Sequence, residues 1–562
     1  MPEHPITRHF VTVGDRQVHY RRLGEGPPVL LVHESPMTGV MLLPLARALA
    51  ELGHCVLALD TAGYGGSDLL TATDAPTIAD YADAIVELFE PLGLDRPYVY
   101  GSHTGAQIVL ELGLRHPKAA RSIVVDGLPT FTRAEAIDLR MNWLIQYPPQ
   151  SDGTHLVALW HRYRDHVMFW PFYRPTDEGR FELDLPSAEH FHERLVDWLL
   201  PGELYPLSYR AAFDYEGHVR VAELKARAAL TAHFDDLLGR YTDQLPAKLG
   251  RDTVKARMPK AEHPRWIADF LAGAPCPDAP PAPAAAPIAG RLSREYAADG
   301  RRQLLVRRRL DAPGRPLVLL PDAPDAGSGL RAIADALAAT RPVVILDVPG
   351  TGGSDPLGKK EPAVADYVAS LDRAIRSLGT REVDLYGKGI GAVLALELAR
   401  AKPRAVGKLV LDGFPLWSPD VRKRFLAQPR VSLAPETDGT HLLRAWTMTR
   451  DREVFFPWFD RTRANVRKHA PAPPAEIHRR VLEILKALPT YDLPERAALA
   501  HPLEDALGSI PVPAMACAAP GEVAATVLVE VGRLAGIPAT VLSGDAATDA
   551  RAIARFLDGS AK

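Results

Sequence analysis

Short uninterrupted apolar runs alternate along this chain with longer mixed segments. Pro28-Val29-Leu30-Leu31-Val32 is one such run, and Val56-Leu57-Ala58-Leu59 is another. Runs of that length suit strands buried on both faces of a parallel sheet. The pattern predicts a β-hairpin around Val11 to Arg21, turning at Gly14-Asp15. It then predicts a strand at Pro28 to Val32, a helix from about Met41 to Leu52, and a strand ending at Asp60. A helix over roughly Ile78 to Leu92 follows, then a strand at Tyr98-Val99-Tyr100. That strand runs through Gly101 into a long apolar helix ending about Leu114, and Ile123 to Asp126 is a further strand. Strands alternating with helices predict a parallel sheet covered on both faces. From Thr130 to about Glu223 the rhythm breaks. That stretch is helical, aromatic and His-rich, and predicts a cap inserted over the strand ends.

The same order recurs later in the chain. Asp152-Gly153-Thr154-His155 returns 286 positions on as Asp438-Gly439-Thr440-His441. At the same shift Asp126-Gly127-Leu128-Pro129 returns as Asp412-Gly413-Phe414-Pro415, and Arg210-Ala211-Ala212 as Arg496-Ala497-Ala498. Several matches in one register indicate duplication followed by divergence. Between the copies, Pro275 to Gly290 reads PCPDAPPAPAAAPIAG, a composition that builds no core and behaves as an extended tether. The expected layout is a domain over 1–274 with its cap at about 130–223, a linker over 275–290, and a second domain over 291–562 with its cap at about 416–508.

Composition narrows the function class. A chain of 562 residues exceeds what one hydrophobic core supports. Lys plus Arg number 66 and Asp plus Glu 69, a net charge of −3 that gives no reason to expect nucleic acid or an anionic membrane as partner. The three cysteines, Cys55, Cys276 and Cys517, show no metal spacing, and a reducing cytoplasm fits them best. Met1-Pro2-Glu3-His4 is not expected to begin a signal peptide, and no apolar stretch is long enough to span a bilayer.

Three motifs then carry a resemblance. His33-Glu34-Ser35-Pro36 follows the first buried strand, Asp60-Thr61-Ala62-Gly63-Tyr64-Gly65-Gly66-Ser67 follows the second, and Gly101-Ser102-His103-Thr104-Gly105 joins strand to helix. In that order they resemble the H-G-x-P turn, the D-x-x-G-x-G-x-S turn and the G-x-S-x-G nucleophile elbow of the α/β-hydrolase fold family, cap-bearing branch. The resemblance covers nearly all of both halves. It implies an α/β fold class: two tandem α/β-hydrolase-type domains, each a mostly parallel sheet covered by helices, with a helical cap insertion.

The elbow departs from the family. Its central residue is His103, where relatives carry Ser, Asp or Cys, and Ser102 stands one place early. The turn needs a positive φ at its centre, which His tolerates better than most side chains, and glycines at 101 and 105 permit the close packing. An imidazole there offers three chemistries: a general base with its pKa near 6.5, a covalent nucleophile, or a metal ligand together with His33 or a cap histidine. A merely hydrogen-bonded histidine in a binding pocket is the competing reading. By resemblance, Asp236 or its neighbour Asp235 stands at the family's acid. Asp126 is a second candidate to orient the ring, although Asp412 repeats it. The backbone N–H groups of Ser35 and Thr104 are the expected oxyanion donors. Glu34 is either a second acid/base group or a rim charge. The family's catalytic His falls near Arg257 by count, and His263 reads as a surface residue starting the last helix.

The second half has Gly389 at the elbow and Pro321-Asp322-Ala323-Pro324 at the oxyanion turn. Met515 to Pro520 offers no carboxylate, so this half reads as catalytically dead, with a structural or dimerising role. In the first cap, Trp170 and Tyr173 are expected to line a pocket, with His166 the best histidine candidate there. His155, repeated as His441, reads as a capping or packing residue, and Arg164 with Asp165 as an internal ion pair. The expected partner is a small hydrophobic or aromatic molecule, with no cofactor or resident metal; a homo-oligomer stays open. The leading expectation is a cofactor-independent hydrolase of an ester, lactone, epoxide or similar apolar substrate. The alternatives are a non-catalytic ligand-binding or scaffolding pseudoenzyme, and a lyase or isomerase using the same pocket.

Overall fold

The computed structural model of the protein describes His4 to Gly559, apart from residues 182, 237, 247, 248, 250 and 251 and the side chain of His218. The chain divides into two compact units, Met1–Pro148 with Ala158–Ala286, and Pro149–Val157 with Pro287–Lys562. Among the described residues no helix is long and apolar enough to cross a membrane.

The first unit is built on eight strands: β1 Thr7–Val13, β2 Arg16–Leu23, β3 Pro28–Val32, β4 Cys55–Leu59, β5 Tyr98–Ser102, β6 Ser122–Asp126, β7 Ala228–His233 and β8 Thr253–Met258. Their order across the sheet is β1-β2-β4-β3-β5-β6-β7-β8. β1–β2 and β2–β4 pair antiparallel and the remaining pairs are parallel. Strands β3 to β6 are buried along their whole length, as their continuous apolar runs require. Alternate side chains serve opposite faces. Leu30, Val32, Leu57, Val99 and Val125 pack with Ile85 and Val109, from helices α2 Ile78–Val86 and α3 Thr104–Arg115. Val29, Leu31, Val56, Tyr100 and Val124 pack on the other side with Ile267 and with Leu49 of helix α1 Leu43–Glu51. The N-terminus of α2 carries the capping box that Thr77 and Asp80 make possible, and this helix ends at Val86, short of the expected Leu92.

The Asp60 turn is a structural device. The buried Asp60 carboxylate accepts from the Gly39 and Gly66 N–H groups, both at 2.9 Å, and pairs with His19 and Arg21. Ser67 Oγ closes the turn onto the Asp60 carbonyl at 2.6 Å. Between β6 and β7 lie the helices of the cap, Arg133–Asn142, Thr154–His166, Ala188–Leu199, Pro206–Phe213 and Gly217–Arg220. Residues 275–286 lie against this unit. Arg22 donates to the Pro280 carbonyl at 2.6 Å, and the Ala279 N–H bonds Gly26 O at 2.9 Å.

The second unit repeats the plan in β9 Ser293–Asp299, β10 Arg302–Arg309, β11 Leu317–Leu320, β12 Val343–Leu346, β13 Val383–Lys388, β14 Val406–Asp412, β15 Ala514–Ala518 and β16 Ala539–Val541. The order is β16-β15-β14-β13-β11-β12-β10-β9, the same topology. Its Asp347 plays the part of Asp60, bonding the Gly327 and Gly353 N–H groups and pairing with Arg307. Helices between Pro419 and Leu507 form its cap region. The repeated histidines do the same local job in each copy. His155 Nδ1 accepts from Gln150 N, and His441 Nδ1 from Glu436 N. The second copy of the expected ion pair is different: Asp451 bonds Arg461 rather than Arg450.

Both elbows depend on close backbone approach. A Cβ on Gly105 would lie 2.2 Å from the Val32 carbonyl oxygen, and one on Gly391 would lie 2.2 Å from that of Leu320. Neither backbone can retreat without breaking a central strand. Gly105→Ala is therefore expected to destabilise the first unit by about 1–3 kcal/mol, read from its denaturant midpoint. An unchanged midpoint would contradict this packing.

Candidate active site

At the end of β5 the chain turns sharply into α3. His103 occupies that turn with φ +50° and ψ −108°, a conformation rarely adopted by a side-chain-bearing residue. Its N–H is tied to the Asp126 carbonyl at 3.0 Å. The imidazole is thereby held up at the strand ends.

Two carboxylates meet the ring. Nδ1 lies 2.5 Å from Glu34 Oε2 and Nε2 lies 3.0 Å from Asp236 Oδ1. Asp236 is anchored in turn by the Leu238 N–H at 2.9 Å. The His103 and Glu34 side chains keep 26% and 24% of their surface open, whereas Asp236 keeps 5%. A small molecule can therefore touch the imidazole and Glu34 but hardly Asp236.

Charge follows from this geometry. Burial by itself disfavours an imidazolium, but Asp236 and Glu34 outweigh it and raise the His103 pKa well above 6.5. Burial likewise opposes ionisation of Asp236, yet His103 and the Leu238 N–H hold its carboxyl down at about 2. Glu34 is held below its ordinary value in the same way, with His103 overriding burial. The ring is thus doubly paired and protonated at neutral pH. This corrects the sequence expectation of a free base poised near 6.5.

Of the other candidates, His166 lies in the field of Glu34 and His103. Burial lowers its pKa to about 4, so it is neutral. Its Nδ1 is buried without a hydrogen-bond partner among the described residues. It packs on Trp143 at 4.7 Å, within an aromatic cluster that includes Trp170 and Phe172. Tyr173 gives its hydroxyl to Asp138 at 2.7 Å.

The structure does not bring Asp126 or His33 to the His103 ring. Asp126 accepts from Tyr100 at 2.5 Å and Thr231 at 2.9 Å, and lies 3.4 Å from His263. His263 is buried, which corrects the surface reading. Arg257, at the counted histidine position, is spent on Asp243 and the His233 carbonyl. His33 is a fixed neutral tautomer: Nδ1–H donates to the Glu34 carbonyl at 2.8 Å, and Nε2 accepts the Thr61 N–H at 2.9 Å. The Ser35 hydroxyl bonds Ser208 at 2.5 Å. The N–H groups of Ser35 and Thr104 have no acceptor among the described residues.

The second unit keeps the elbow backbone, with Gly389 at φ +54° and ψ −118°. Glu522 lies 286 positions after Asp236, and its carboxylate sits over Gly413 much as Asp236 sits over Gly127. This corrects the expectation that no carboxylate follows β15. The signal was present in the register of the repeat. Glu522 pairs with Lys388 at 2.9 Å, and Lys388 also bonds Asp412.

With the fold and the elbows described, their relatives become informative. A family model described as the alpha/beta hydrolase fold matches residues 27–158 and 315–463. The chain belongs to the α/β hydrolase fold family. Among sequence relatives of this α/β hydrolase, a haloalkane dehalogenase of Mycolicibacterium paratuberculosis is 28% identical over 142 residues, 24% of this chain and 47% of the relative. A haloalkane dehalogenase of Mycobacterium marinum is 29% identical over 165 residues, 28% of this chain and 56% of the relative. The chain thus spans about half the length of these relatives. An epoxide hydrolase from an endophytic Streptomyces, 17% identical, aligns over 48% of this chain and 96% of its own with a TM-score of 0.39.

The charged trio makes a pH prediction. His103 is raised above its unfolded value, so its stabilisation is complete below about pH 6.5 and is lost as pH rises through the folded value. Asp236 is depressed, so its contribution is complete above about pH 3.8 and is lost as pH falls towards about 2. Glu34→Gln is expected to lower the His103 pKa, measured by NMR titration of the ring. No shift would mean that the carboxylate does not set the charge.

Proposed function

We propose that the first unit is a cofactor-independent hydrolase of a small apolar ester, lactone, epoxide or similar substrate, with Glu34, His103 and Asp236 as its reacting assembly. The observation that carries this reading is the elbow imidazole bridging two carboxylates while still open to a small molecule. The family, and the sequence relatives named as haloalkane dehalogenases, support hydrolysis as the reaction class.

In this mechanism Glu34 accepts a proton from water as the water oxygen bonds to the electrophilic carbon. His103 releases Glu34 and gives its Nδ1 proton to the leaving oxygen as that bond breaks. The proton on Glu34 then passes to His103 and restores the resting state. The pair holds the same number of protons at the start and end of the chemical step, so the buried site undergoes no net change of charge. Asp236 fixes the ring and stabilises its cationic form. For an acyl substrate, the Ser35 and Thr104 N–H groups are the donors for developing negative charge. His166 and the aromatic cluster around Trp143 and Trp170 hold the apolar body, with Tyr173 joined to that cluster at Phe172 and Trp143.

A second reading is a binding pocket without turnover. It is favoured by the engagement of both ring nitrogens with carboxylates, which leaves no free lone pair on His103. Screening an ester, lactone and epoxide panel separates the two. The enzymatic reading expects turnover that falls about 10²–10⁴-fold in both His103→Ala and Glu34→Gln. Full activity in either variant would remove it, and tight binding without turnover would favour the second reading. Oxygen from labelled water must appear in the product; its absence would indicate a lyase or isomerase.

The pH profile is a further check. Because His103 stays charged, kcat/KM is expected to be flat across about pH 6 to 8. An inflection near 6.5 would mean that a free imidazole acts as base.

A further inference from the structure

The second unit contains a cavity of about 620 Å³, bounded by the degenerate elbow and the cap. Its floor is Asp322, the counterpart of Glu34. Where Glu34 reaches across to an imidazole, Asp322 is one methylene shorter and folds into the oxyanion turn. Its Oδ1 accepts the Ala323 N–H at 2.9 Å and the Ile390 N–H at 2.8 Å. These are the counterparts of the Ser35 and Thr104 donors, so a carboxylate of the protein fills the anion hole. Gly389 is required there, because a Cβ at that position would lie 2.3 Å from Asp322 Cγ.

The neighbouring carboxylates have their own cations. Glu495 takes Arg452 in two bonds at 2.8 and 2.7 Å, Asp325 takes Arg479 at 2.7 and 2.9 Å, and Glu522 takes Lys388. Asp322 has no cation within ion-pair distance among the described residues. Burial pushes its carboxyl up to about 6, with the charges of Glu495 and Asp325 adding to the effect against the Ile390 N–H and Lys388. Arg467 spends its donors on the Arg452 and Gly521 carbonyls at 2.6 and 3.0 Å. The lining carries six carboxylates against five Lys and Arg side chains. Trp417, Phe425 and Phe456 supply an aromatic wall, with ring centroids 4.9 and 5.9 Å apart.

We propose that this cavity binds a small organic cation, a primary ammonium on an apolar body, with Asp322 as its anchor. In the first unit the protein places its own imidazolium between Glu34 and Asp236. In the second the elbow side chain is absent, and the ligand's ammonium supplies the missing positive charge. A half-buried carboxylate held only by N–H donors gains from a cation, and aromatic faces attract organic cations. Both features select against an anionic ligand.

Calorimetry on the full chain tests this with benzyl-, cyclohexyl- and butylammonium against benzoate and benzyl alcohol. The expected result is saturable one-to-one binding of at least one ammonium, with the acid and alcohol at least tenfold weaker. Asp322→Asn should weaken it at least tenfold. Preference for benzoate or the alcohol, or binding by none of the ammonium probes, would overturn the assignment. Full affinity in Asp322→Asn would do the same. The comparison of probes on the unaltered protein decides even where Asp322→Asn does not fold. The outcome is independent of hydrolysis in the first unit.

Discussion

A strained turn holds one imidazole between two carboxylates, and the carboxylates decide its charge. Two buried anions facing each other would force one to take up a proton. The His103 imidazolium removes that conflict, and each carboxylate in turn stabilises the charge on the ring. Each group's charge favours that of its neighbours, so removing one shifts the titration of the others. The elbow backbone makes this possible by fixing the ring at a positive φ, between the loop after β3 and the loop after β7. Gly101 and Gly105 allow strand and helix to approach closely enough to keep it there.

The second unit shows the same backbone with the charge removed. Its elbow keeps the positive φ but carries glycine, and its acid is Asp322 rather than Glu34. Loss of the imidazole and shortening of the acid belong together: the shorter carboxylate turns back onto the two N–H groups and occupies the space a side chain would need. Lys388 meanwhile compensates Glu522 and Asp412 from the position of Ser102. The second elbow presents no side chain, yet charged groups crowd the cavity beside it.

Much of the fold was legible in the sequence because buried parallel strands write themselves as unbroken apolar runs. The repeat register did the rest for the second unit. Helix ends were less legible, as at Val86, because the last turn follows tertiary packing rather than local pattern. At the site, His103 and Asp236 were readable from motif position. The role of Glu34 was not, since whether a carboxylate at a turn reaches inward depends on its rotamer and on what stands opposite. The charge of His103 was also hidden: a side chain's ordinary pKa says nothing of two anions brought within 3.0 Å by distant segments. Glu522 is less legible from the strand end, since it stands in the turn beyond Pro520, although the shift of 286 points to it. His263 is illegible as a core residue because a helix start usually lies at the surface, whereas this one packs against Thr231 and Asp126.

Neutron diffraction from crystals held near pH 7.5 tests the central claim most directly, since it locates the protons on the ring. The account predicts deuterium on both Nδ1 and Nε2 of His103, with neither Glu34 nor Asp236 protonated. A bare ring nitrogen, or a proton residing on either carboxylate, would contradict it.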